Sequence, residues 1–306
     1  MAAITDRRRA LAALVGAALL WSIGGVLIKW VDWHPMAIMG TRSAFAAILM
    51  IACGGRVRLR GSRSRVLGAV FYAITVMLYV PACKMTTAAN AILLQYTAPV
   101  WIALFGAWFL QERPGWVDWA MIVVTLGGMA LFFKDGISGR SGLGDVLALI
   151  SGVTIAWMML FLRKQKSASP LDSVLLGNIL ATLGGLPFLF SGPVPDARGW
   201  LGLALLGFVQ LGLSYTLYAL AIKHVTALEA IIVLTLEPVL NPIWVLLLIG
   251  ERPTGWALLG GILVLVAVTA RGVLIARQRH ATATPSNANV RPRAAESQVG
   301  KEAAAP

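Results

Sequence analysis

A long apolar stretch occurs twice in this chain, and this duplication constrains the fold more than any other feature of the sequence. The first copy runs from Lys84 to Pro114. A shift of 139 positions, the distance from Lys84 to Lys223, places it without a gap on the second copy, Lys223 to Pro253. Pro99 then falls on Pro238, and both copies end in Glu-Arg-Pro. A long apolar unit duplicated within one chain is typical of membrane carriers built from repeats.

The composition places the duplicated unit in a membrane. Hydrophobic residues make up 58% of the 306 residues, charged residues only 13%, and the mean hydropathy is +0.78. Apolar runs such as residues 10–28 and 256–270 approach or reach the roughly 20 residues that a helix needs to cross the hydrocarbon core. The net charge of +13 lies mainly in short loops between such runs, where basic residues orient helices. We therefore expect a polytopic protein surrounded by membrane lipid, and no binding of nucleic acid.

The apolar runs predict about ten transmembrane helices. They cover roughly residues 10–31, 35–54, 66–83, 86–110, 115–134, 143–163, 171–190, 199–221, 226–249 and 254–275. Helices satisfy the backbone hydrogen bonds of such runs internally, whereas the strands of a barrel would be about half as long and would alternate in polarity. The predicted fold class is an all-α integral membrane protein.

The positions of the basic residues predict the orientation of these helices. With the N-terminus inside, the cytoplasmic segments carry Arg7 to Arg9, five arginines between positions 56 and 65, basic residues within 163–166 and 271–279, and the single residues Arg113 and Lys223. The segments on the other side carry only isolated basic residues, namely Lys29, Lys84, Lys134, Arg140, Arg198 and Arg252. By the positive-inside rule we expect a multi-pass protein of the inner (plasma) membrane with both termini in the cytoplasm.

The spacing of the two copies predicts that the halves are inverted relative to each other. Equivalent segments lie five spans apart, and an odd number of crossings makes them traverse the membrane in opposite directions. We expect a cytoplasmic N-terminus at 1–9, a first five-helix repeat at 10–134, a second, inverted five-helix repeat at 143–275, and a disordered cytoplasmic tail at 281–306. Such halves can exchange conformations and open a central site to either side in turn. Since one chain holds both halves, a working monomer is expected.

The duplicated motif resembles that of a known transporter superfamily. Ten spans, the five-plus-five inverted duplication, and the pattern Lys-x-x-Thr-Ala, Pro and Glu-Arg-Pro around spans four and nine are similar to EamA-type members of the drug/metabolite transporter superfamily. Within it, the chain resembles the YddG-like exporters of aromatic amino acids. The resemblance covers about residues 10–275. It implies efflux of small molecules across the inner membrane, with amino acids or related metabolites as substrates.

Polar residues inside the predicted spans are the candidates for substrate binding, because polar groups are costly in a membrane. In span nine, Glu237, Asn241 and Trp244 share one helical face, and in span four Asn90 and Trp101 share another. Prolines in both spans remove backbone donors near these faces. The two spans would therefore line a central cavity, in which Glu237 is the one obvious titratable site. Alternatively, the prolines only bend the helices and Glu237 is a neutral core residue.

Spans three and eight carry a matching polar stripe. Tyr79 in span three corresponds to Tyr218 in span eight, where Gln210 and Ser214 precede it on the same face. These side chains line the same cavity, or the tyrosines anchor the helix ends at the membrane interface.

Two tryptophans and three basic residues have alternative interpretations. Trp21 and Trp157 lie mid-span in the first helix of each half, where they either stack on a planar or apolar cargo or pack within the bundle. Arg42, about two turns into span two, snorkels outward, pairs with a carboxylate of another span, or meets a substrate carboxylate, and we favour the first. Lys84 and Lys223 are expected to bond the last carbonyls of spans three and eight.

Together with the resemblance, which implies efflux, these patterns predict a carrier that exports small zwitterionic metabolites, above all amino acids with aromatic or apolar side chains. The substrate gradient or a counter-moving proton would drive it. Drug-like or sugar-related metabolites are the alternative cargo. An intramembrane enzyme is a remote alternative, because the Gly-x-Ser-Gly sequence at 136–139 lies in a loop and the three histidines lie in loops or in the tail. No sequence resembles the selectivity filter of a channel. We expect a small molecule as the partner, and neither a cofactor nor a metal site.

Overall fold

The computed structural model describes residues 2–56, 63–109, 115–132, 139–164, 170–221, 224, 233–234 and 236–283, and all regular secondary structure in these residues is helical. Their α-helices are α1 (Ala2–Ser22), α2 (Gly24–Trp30), α3 (Pro35–Ala52), α4 (Arg63–Met85), α5 (Ala88–Gln95), α6 (Ala98–Phe109), α7 (Trp116–Phe132), α8 (Gly139–Lys164), α9 (Pro170–Gly185), α10 (Ala197–Ala204), α11 (Ser214–Ala221), α12 (Leu236–Ile249) and α13 (Gly255–Ala283). A 3-10 turn, Leu186–Phe188, follows α9, and a π-helix, Leu205–Leu213, joins α10 to α11.

Length and hydropathy determine which helices can cross a membrane. Among the described residues, seven helical segments meet both requirements: Arg7–Trp30, Pro35–Ala52, Arg63–Met85, Ala88–Gly106, Ser141–Leu162, Leu171–Phe188 and Ala197–Ala221. Three shorter apolar helices, Trp116–Gly128, Leu236–Ile249 and Gly255–Ala267, belong to α7, α12 and α13. Large apolar side chains are exposed on the outside of the bundle, among them Trp116, Phe190 and Leu248. An apolar outer surface of this kind suits contact with lipid rather than water.

Two expected boundaries differ from the structure. Helix α1 begins at Ala2, so residues 2–9, which we expected to precede the first span, extend it as helix. Helix α13 continues to Ala283, so the first residues of the expected tail are helical, while 284–306 lie outside the described residues. Alanine and arginine, both strong helix formers, are frequent in these extensions and favour helix beyond the apolar run.

Side-chain caps begin two of the helices where the chain turns at an end of the bundle. Thr87 precedes α5, and its hydroxyl accepts a hydrogen bond of 3.0 Å from the backbone N–H of Asn90. Asp196 precedes α10, and its carboxylate accepts one of 2.8 Å from the N–H of Gly199. Each cap satisfies one of the free N–H groups of a first helical turn. The threonine of the Lys-x-x-Thr-Ala motif therefore starts a helix in the first copy.

The helices of the two halves pack against each other in matching pairs. Helix α4 packs on α8, and α11 packs on α1; α4 also packs on α9, and the π-helix packs on α3. Helices α5 and α6 contact α8, and α12 contacts α1 and α2. Two further pairs, α3 with α9 and α7 with α13, join helices that occupy the same place in each half. Exchanging the halves therefore maps these contacts onto one another.

Glycines bring α3 and α9 into backbone contact. A Cβ atom on Gly185 would lie 2.5 Å from Cα of Gly40 and 2.9 Å from the carbonyl oxygen of Met36. A Cβ on Gly40 would in turn lie 2.8 Å from Cα of Gly185. Small residues at helix contacts allow close backbone approach in membrane proteins, where packing rather than water drives association. This crossing depends on both residues having no side chain.

We predict that Gly185→Ala lowers the melting temperature of the purified protein in detergent by several degrees. The added methyl group must push two backbones apart, and such overpacking costs about 1–3 kcal/mol. Gly127→Ala is the matched control, because nothing lies within 4 Å of a Cβ at that position in α7. An equal melting temperature for Gly185→Ala and wild type would contradict the close contact.

Candidate functional site

A central cavity of about 360 Å³ opens between the helices of both halves. Most of its wall is apolar or aromatic, and a few polar and charged groups face it. The lining residues are Trp21, Arg42, Tyr72, Thr75, Val76, Tyr79, Gln95, Tyr96, Ala98, Pro99, Ile155, Met158, Met159, Leu162, Leu171, Val174, Gln210, Leu211, Tyr215, Tyr218, Leu234 and Glu237. A concave, mainly apolar site with a few polar groups is typical of small-molecule binding.

Irregular backbone borders this cavity at three places. The first span breaks at Ile23, next to the cavity residue Trp21. The fourth span breaks between α5 and α6 at Tyr96 and Thr97, and Tyr96 lines the cavity. The π-helix of the eighth span carries Gln210 into the wall. The proline of the fourth span indicated a weakened helix near this break, whereas the sequence predicted no departure from helix in the first and eighth spans. Non-helical backbone is tolerated at membrane depth where protein or a cavity surrounds it, and π-helical turns are frequent at functional sites.

Glu237 lies in the first turn of α12 and is held by a tyrosine. The phenolic oxygen of Tyr96 donates a hydrogen bond of 2.9 Å to Oε2 of Glu237, and it also lies 3.1 Å from the carbonyl oxygen of Leu234. The break that follows α5 places Tyr96 in this position. The contact links the fourth and ninth spans through a residue, Tyr96, that the predicted polar faces did not include.

Arg42 lines the cavity and does not snorkel to the surface. Only 2% of the residue is exposed, so the outward interpretation favoured by the sequence is wrong. Its Nε atom is buried and has no hydrogen-bond partner among the described residues. Arg42 and Glu237 face the same cavity without forming an ion pair. Gln210, also in the wall, has a buried Oε1 atom that likewise has no partner in the described part of the chain.

Aromatic rings form one side of the cavity. The ring of Trp21 lies 4.9 Å from that of Tyr215 and 5.6 Å from that of Tyr218. Tyr72 packs on Tyr215 at 5.9 Å. We did not select Tyr72 or Tyr215 from the sequence. Tyr72 lies seven residues before Tyr79 on α4, so the two tyrosines share one helical face, and this spacing could have identified Tyr72.

Of the residues selected from the sequence, five line the cavity: Trp21, Tyr79, Gln210, Tyr218 and Glu237. The other six lie elsewhere, namely Asn90, Trp101, Trp157, Ser214, Asn241 and Trp244. Trp157 packs into a cluster of aromatic rings, 4.9 Å from Phe105 and 5.5 Å from Phe109. Trp101 stacks on Phe105 and donates a hydrogen bond to Thr97. The substrate contacts predicted for these six residues therefore stay without support from the cavity.

Three of the remaining selected residues make internal polar contacts. The hydroxyl of Ser214 donates to the carbonyl oxygen of Gln210 in the preceding turn. The indole N–H of Trp244 donates a 3.0 Å bond to the hydroxyl of Ser22, and Asn90 donates a 3.1 Å bond to the carboxylate of Asp145, so both bonds join different helices. Asn241 is 1% exposed, and its buried Oδ1 atom has no hydrogen-bond partner among the described residues. None of these four side chains lines the cavity.

A polar network joins four segments at one end of the bundle. Lys29 forms an ion pair of 2.9 Å with Oε2 of Glu251, and its ammonium group donates a 2.7 Å bond to the carbonyl oxygen of Thr86. Oε1 of Glu251 accepts a 2.7 Å bond from the N–H of Ala88. The hydroxyl of Thr86 donates a 2.6 Å bond to Asp145 on α8. The network holds α2, the turn before α5, α8 and the loop after α12 together, and it closes this end of the bundle.

Residues of the duplicated motif take part in the contacts at this end. Glu251 comes from the second Glu-Arg-Pro sequence, whereas its counterpart Glu112 lies outside the described residues. Lys84 donates hydrogen bonds to the carbonyl oxygens of Val31 and Lys29 at 2.5 and 3.3 Å. It therefore satisfies the end of α2, and our expectation that it bonds the end of its own helix is wrong. Lys223 lies outside the described residues.

Comparisons with known proteins agree in placing the chain among transporters. The model of the EamA-like transporter family matches residues 8–134 and 142–270. The pseudopaline exporter CntI of Pseudomonas aeruginosa strain UCBPP-PA14 is 28% identical over 83% of this chain and 92% of its own length. An uncharacterized transporter of Archaeoglobus fulgidus is 27% identical over 87% of this chain and 95% of its own length. A crystal structure of 22% sequence identity shares the fold, with a TM-score of 0.62 over 89% of this chain and 99% of the other.

We predict that Lys29 and Glu251 stabilise the protein as a coupled pair. Lys29→Gln and Glu251→Gln should each lower the melting temperature, and the double variant should lower it by less than the two effects added together. A partly buried pair within a hydrogen-bond network supports a coupling energy of about 1 kcal/mol. Strict additivity of the two single effects would show that the pair contributes nothing of its own.

Proposed function

This chain belongs to the EamA-like transporter family, and from that membership we propose that it is a secondary transporter that exports small metabolites by alternating access through the central cavity. Amino acids with aromatic or neutral side chains are the proposed cargo. The observation that carries the proposal is the cavity itself, which lies between the two halves and is walled by Trp21, Tyr79 and Tyr218. Aromatic faces of this kind stack on planar or apolar side chains.

We further propose ten transmembrane helices arranged as two inverted five-helix repeats. The seven long apolar segments and the three shorter apolar helices support this count, and the family model matches the chain twice. The matching contacts between the halves support a two-fold relation between them. In such a protein, exchanging the conformations of the two halves turns an inward-open state into an outward-open one.

The proposed setting is the inner membrane with both termini in the cytoplasm, because the basic loops lie on that side. The Lys29–Glu251 network then closes the outer end of the bundle. We propose a working monomer, since one chain supplies helices from both halves to the cavity.

A specific observation favours a second class of cargo. A relative that matches most of the chain is named as an exporter of pseudopaline, and a cargo other than an amino acid, drug-like or sugar-related compounds included, is therefore the alternative. The relatives compared are named as transporters, which favours transport over intramembrane catalysis.

The experiment that tests the proposal is counterflow in proteoliposomes of the purified protein. Vesicles loaded with unlabelled phenylalanine, threonine or methionine should transiently accumulate the same labelled amino acid from outside, and the flux should saturate. Vesicles loaded with pseudopaline form the parallel arm for the alternative cargo. Leakage that neither saturates nor shows counterflow would contradict a carrier.

We predict that Glu237→Gln keeps counterflow but loses the response of transport to an imposed pH gradient. A proton that moves against the cargo needs a titratable group in the cavity, and Gln cannot release one. Tyr96→Phe is the matched control, because it removes the hydroxyl that donates to Glu237 and keeps the carboxylate. Transport by Glu237→Gln that follows the pH gradient as in wild type would exclude this residue as the proton carrier.

A further inference from the structure

A positive charge that has no partner among the described residues is buried in the cavity wall. Arg42 on α3 is 2% exposed, and the structure shows no carboxylate within salt-bridge distance of its guanidinium group in the described residues. Its Nε atom is buried without an acceptor. A buried cation is costly unless it is paired and hydrogen-bonded. A residue kept in this state points to a partner that arrives from outside the chain.

The groups around Arg42 leave room for an anion. The neighbours that interact with it electrostatically are the tyrosines Tyr72, Tyr79 and Tyr215 and the thiol of Cys83, none of which supplies a carboxylate. Glu237 lines the same cavity, but its carboxylate accepts a hydrogen bond from the hydroxyl of Tyr96. Glu237 is thus the one carboxylate in the described wall, and it makes no ion pair with Arg42.

A second polar atom in the wall also has no partner. The Oε1 atom of Gln210 is buried and unbonded within the described chain, and Gln210 lies on the π-helix that packs against α3. A Cβ on Gly207, one turn earlier, would lie 2.7 Å from the carbonyl oxygen of Arg42, so the two backbones are in close contact there. The cavity thus offers an unused donor, Arg42, and an unused acceptor, Gln210, on neighbouring elements.

We propose that Arg42 binds a carboxylate of the cargo, so that the cavity takes small molecules that carry an ionised carboxylate. The planar guanidinium group can donate two parallel hydrogen bonds to a carboxylate, and a charged pair of this kind is strong where water is excluded. Gln210 accepts a hydrogen bond from a donor of the cargo, such as an ammonium group. This inference rests on the proposed transport function and narrows its substrate class.

The binding test compares ligands that differ only in the carboxylate. Two pairs of ligands are titrated against the purified protein, with thermal stabilisation as the readout. The pairs are phenylalanine with phenylalaninamide, and 3-phenylpropionate with 3-phenylpropionamide. The carboxylate of each pair should bind wild type about tenfold more tightly, as expected of a charged hydrogen-bonded pair. Arg42→Gln should remove this preference, and Arg42→Lys should keep part of it because the charge remains. Arg56→Gln, which removes an exposed charge outside the cavity, should keep the preference in full.

Stability without ligand separates this role from a structural one. If Arg42 held the fold together, its replacement would lower the melting temperature of the empty protein. If Arg42 serves to bind an anion, its replacement by Gln or Met should not lower the melting temperature, because removing an unpaired buried charge also removes its desolvation cost. A clear loss of melting temperature for both Arg42→Gln and Arg42→Met would count against the proposal.

The transport arm distinguishes failure of this inference from failure of the proposed function. Equal binding of carboxylate and amide by wild type, or a preference that survives in Arg42→Gln, overturns the carboxylate site even where counterflow shows a working carrier. A carboxylate preference that depends on Arg42, without counterflow of any solute, supports the site and contradicts the transport function. Absence of stabilisation by both carboxylates also overturns the site.

Discussion

Backbone N–H and C=O groups find no water in the hydrocarbon core, and this constraint determines where the protein can depart from regular helix. Besides the 3-10 turn at the end of the seventh span, three of the described spans depart from it: at Ile23, at Tyr96 and Thr97, and in the π-helix Leu205–Leu213. All three departures border one cavity, where the surrounding protein shields the irregular backbone from lipid. Tyr96 at the second departure and Gln210 in the π-helix line the cavity. Part of the site therefore lies where the bundle is irregular.

Contacts between the two halves of the chain build the cavity. Helices of one half pack on helices of the other, and each contact has an equivalent when the two halves are swapped. Both halves line the cavity, so neither half completes it alone. At one end of the bundle, Lys29 forms an ion pair with Glu251. Hydrogen bonds connect this pair to the turn before α5 and to α8. Ion pairs and hydrogen bonds of this type can form and break with modest changes in free energy. In the proposed alternating access they suit an end that closes and opens, whereas the glycine contact of Gly40 with Gly185 suits a fixed crossing.

The helical bundle could be predicted from apolar length, and the duplication could be seen by aligning the chain with itself. Within one helix, spacing alone identified Tyr79, and it would also have identified Tyr72. The place of Trp157 could not be predicted, because three of the phenylalanines around it, Phe71, Phe105 and Phe109, come from other helices. Arg42 was assigned to the surface because snorkelling is common for arginines near span ends. Which face of a helix points inward depends on packing between helices, and one sequence contains no direct measure of it.

Alternating access is the central claim, and a distance across the closed end tests it most directly. Cys53 and Cys83 are first replaced, and cysteines are introduced as Asp32→Cys and Arg252→Cys. Both positions are exposed and lie beside the Lys29–Glu251 pair, and spin labels are attached to the two new cysteines. Electron paramagnetic resonance in proteoliposomes should show a short and a long distance whose proportions change on addition of cargo. Lys29→Gln should shift the proportions toward the long distance. A single distance that changes neither with cargo nor in Lys29→Gln would contradict the account.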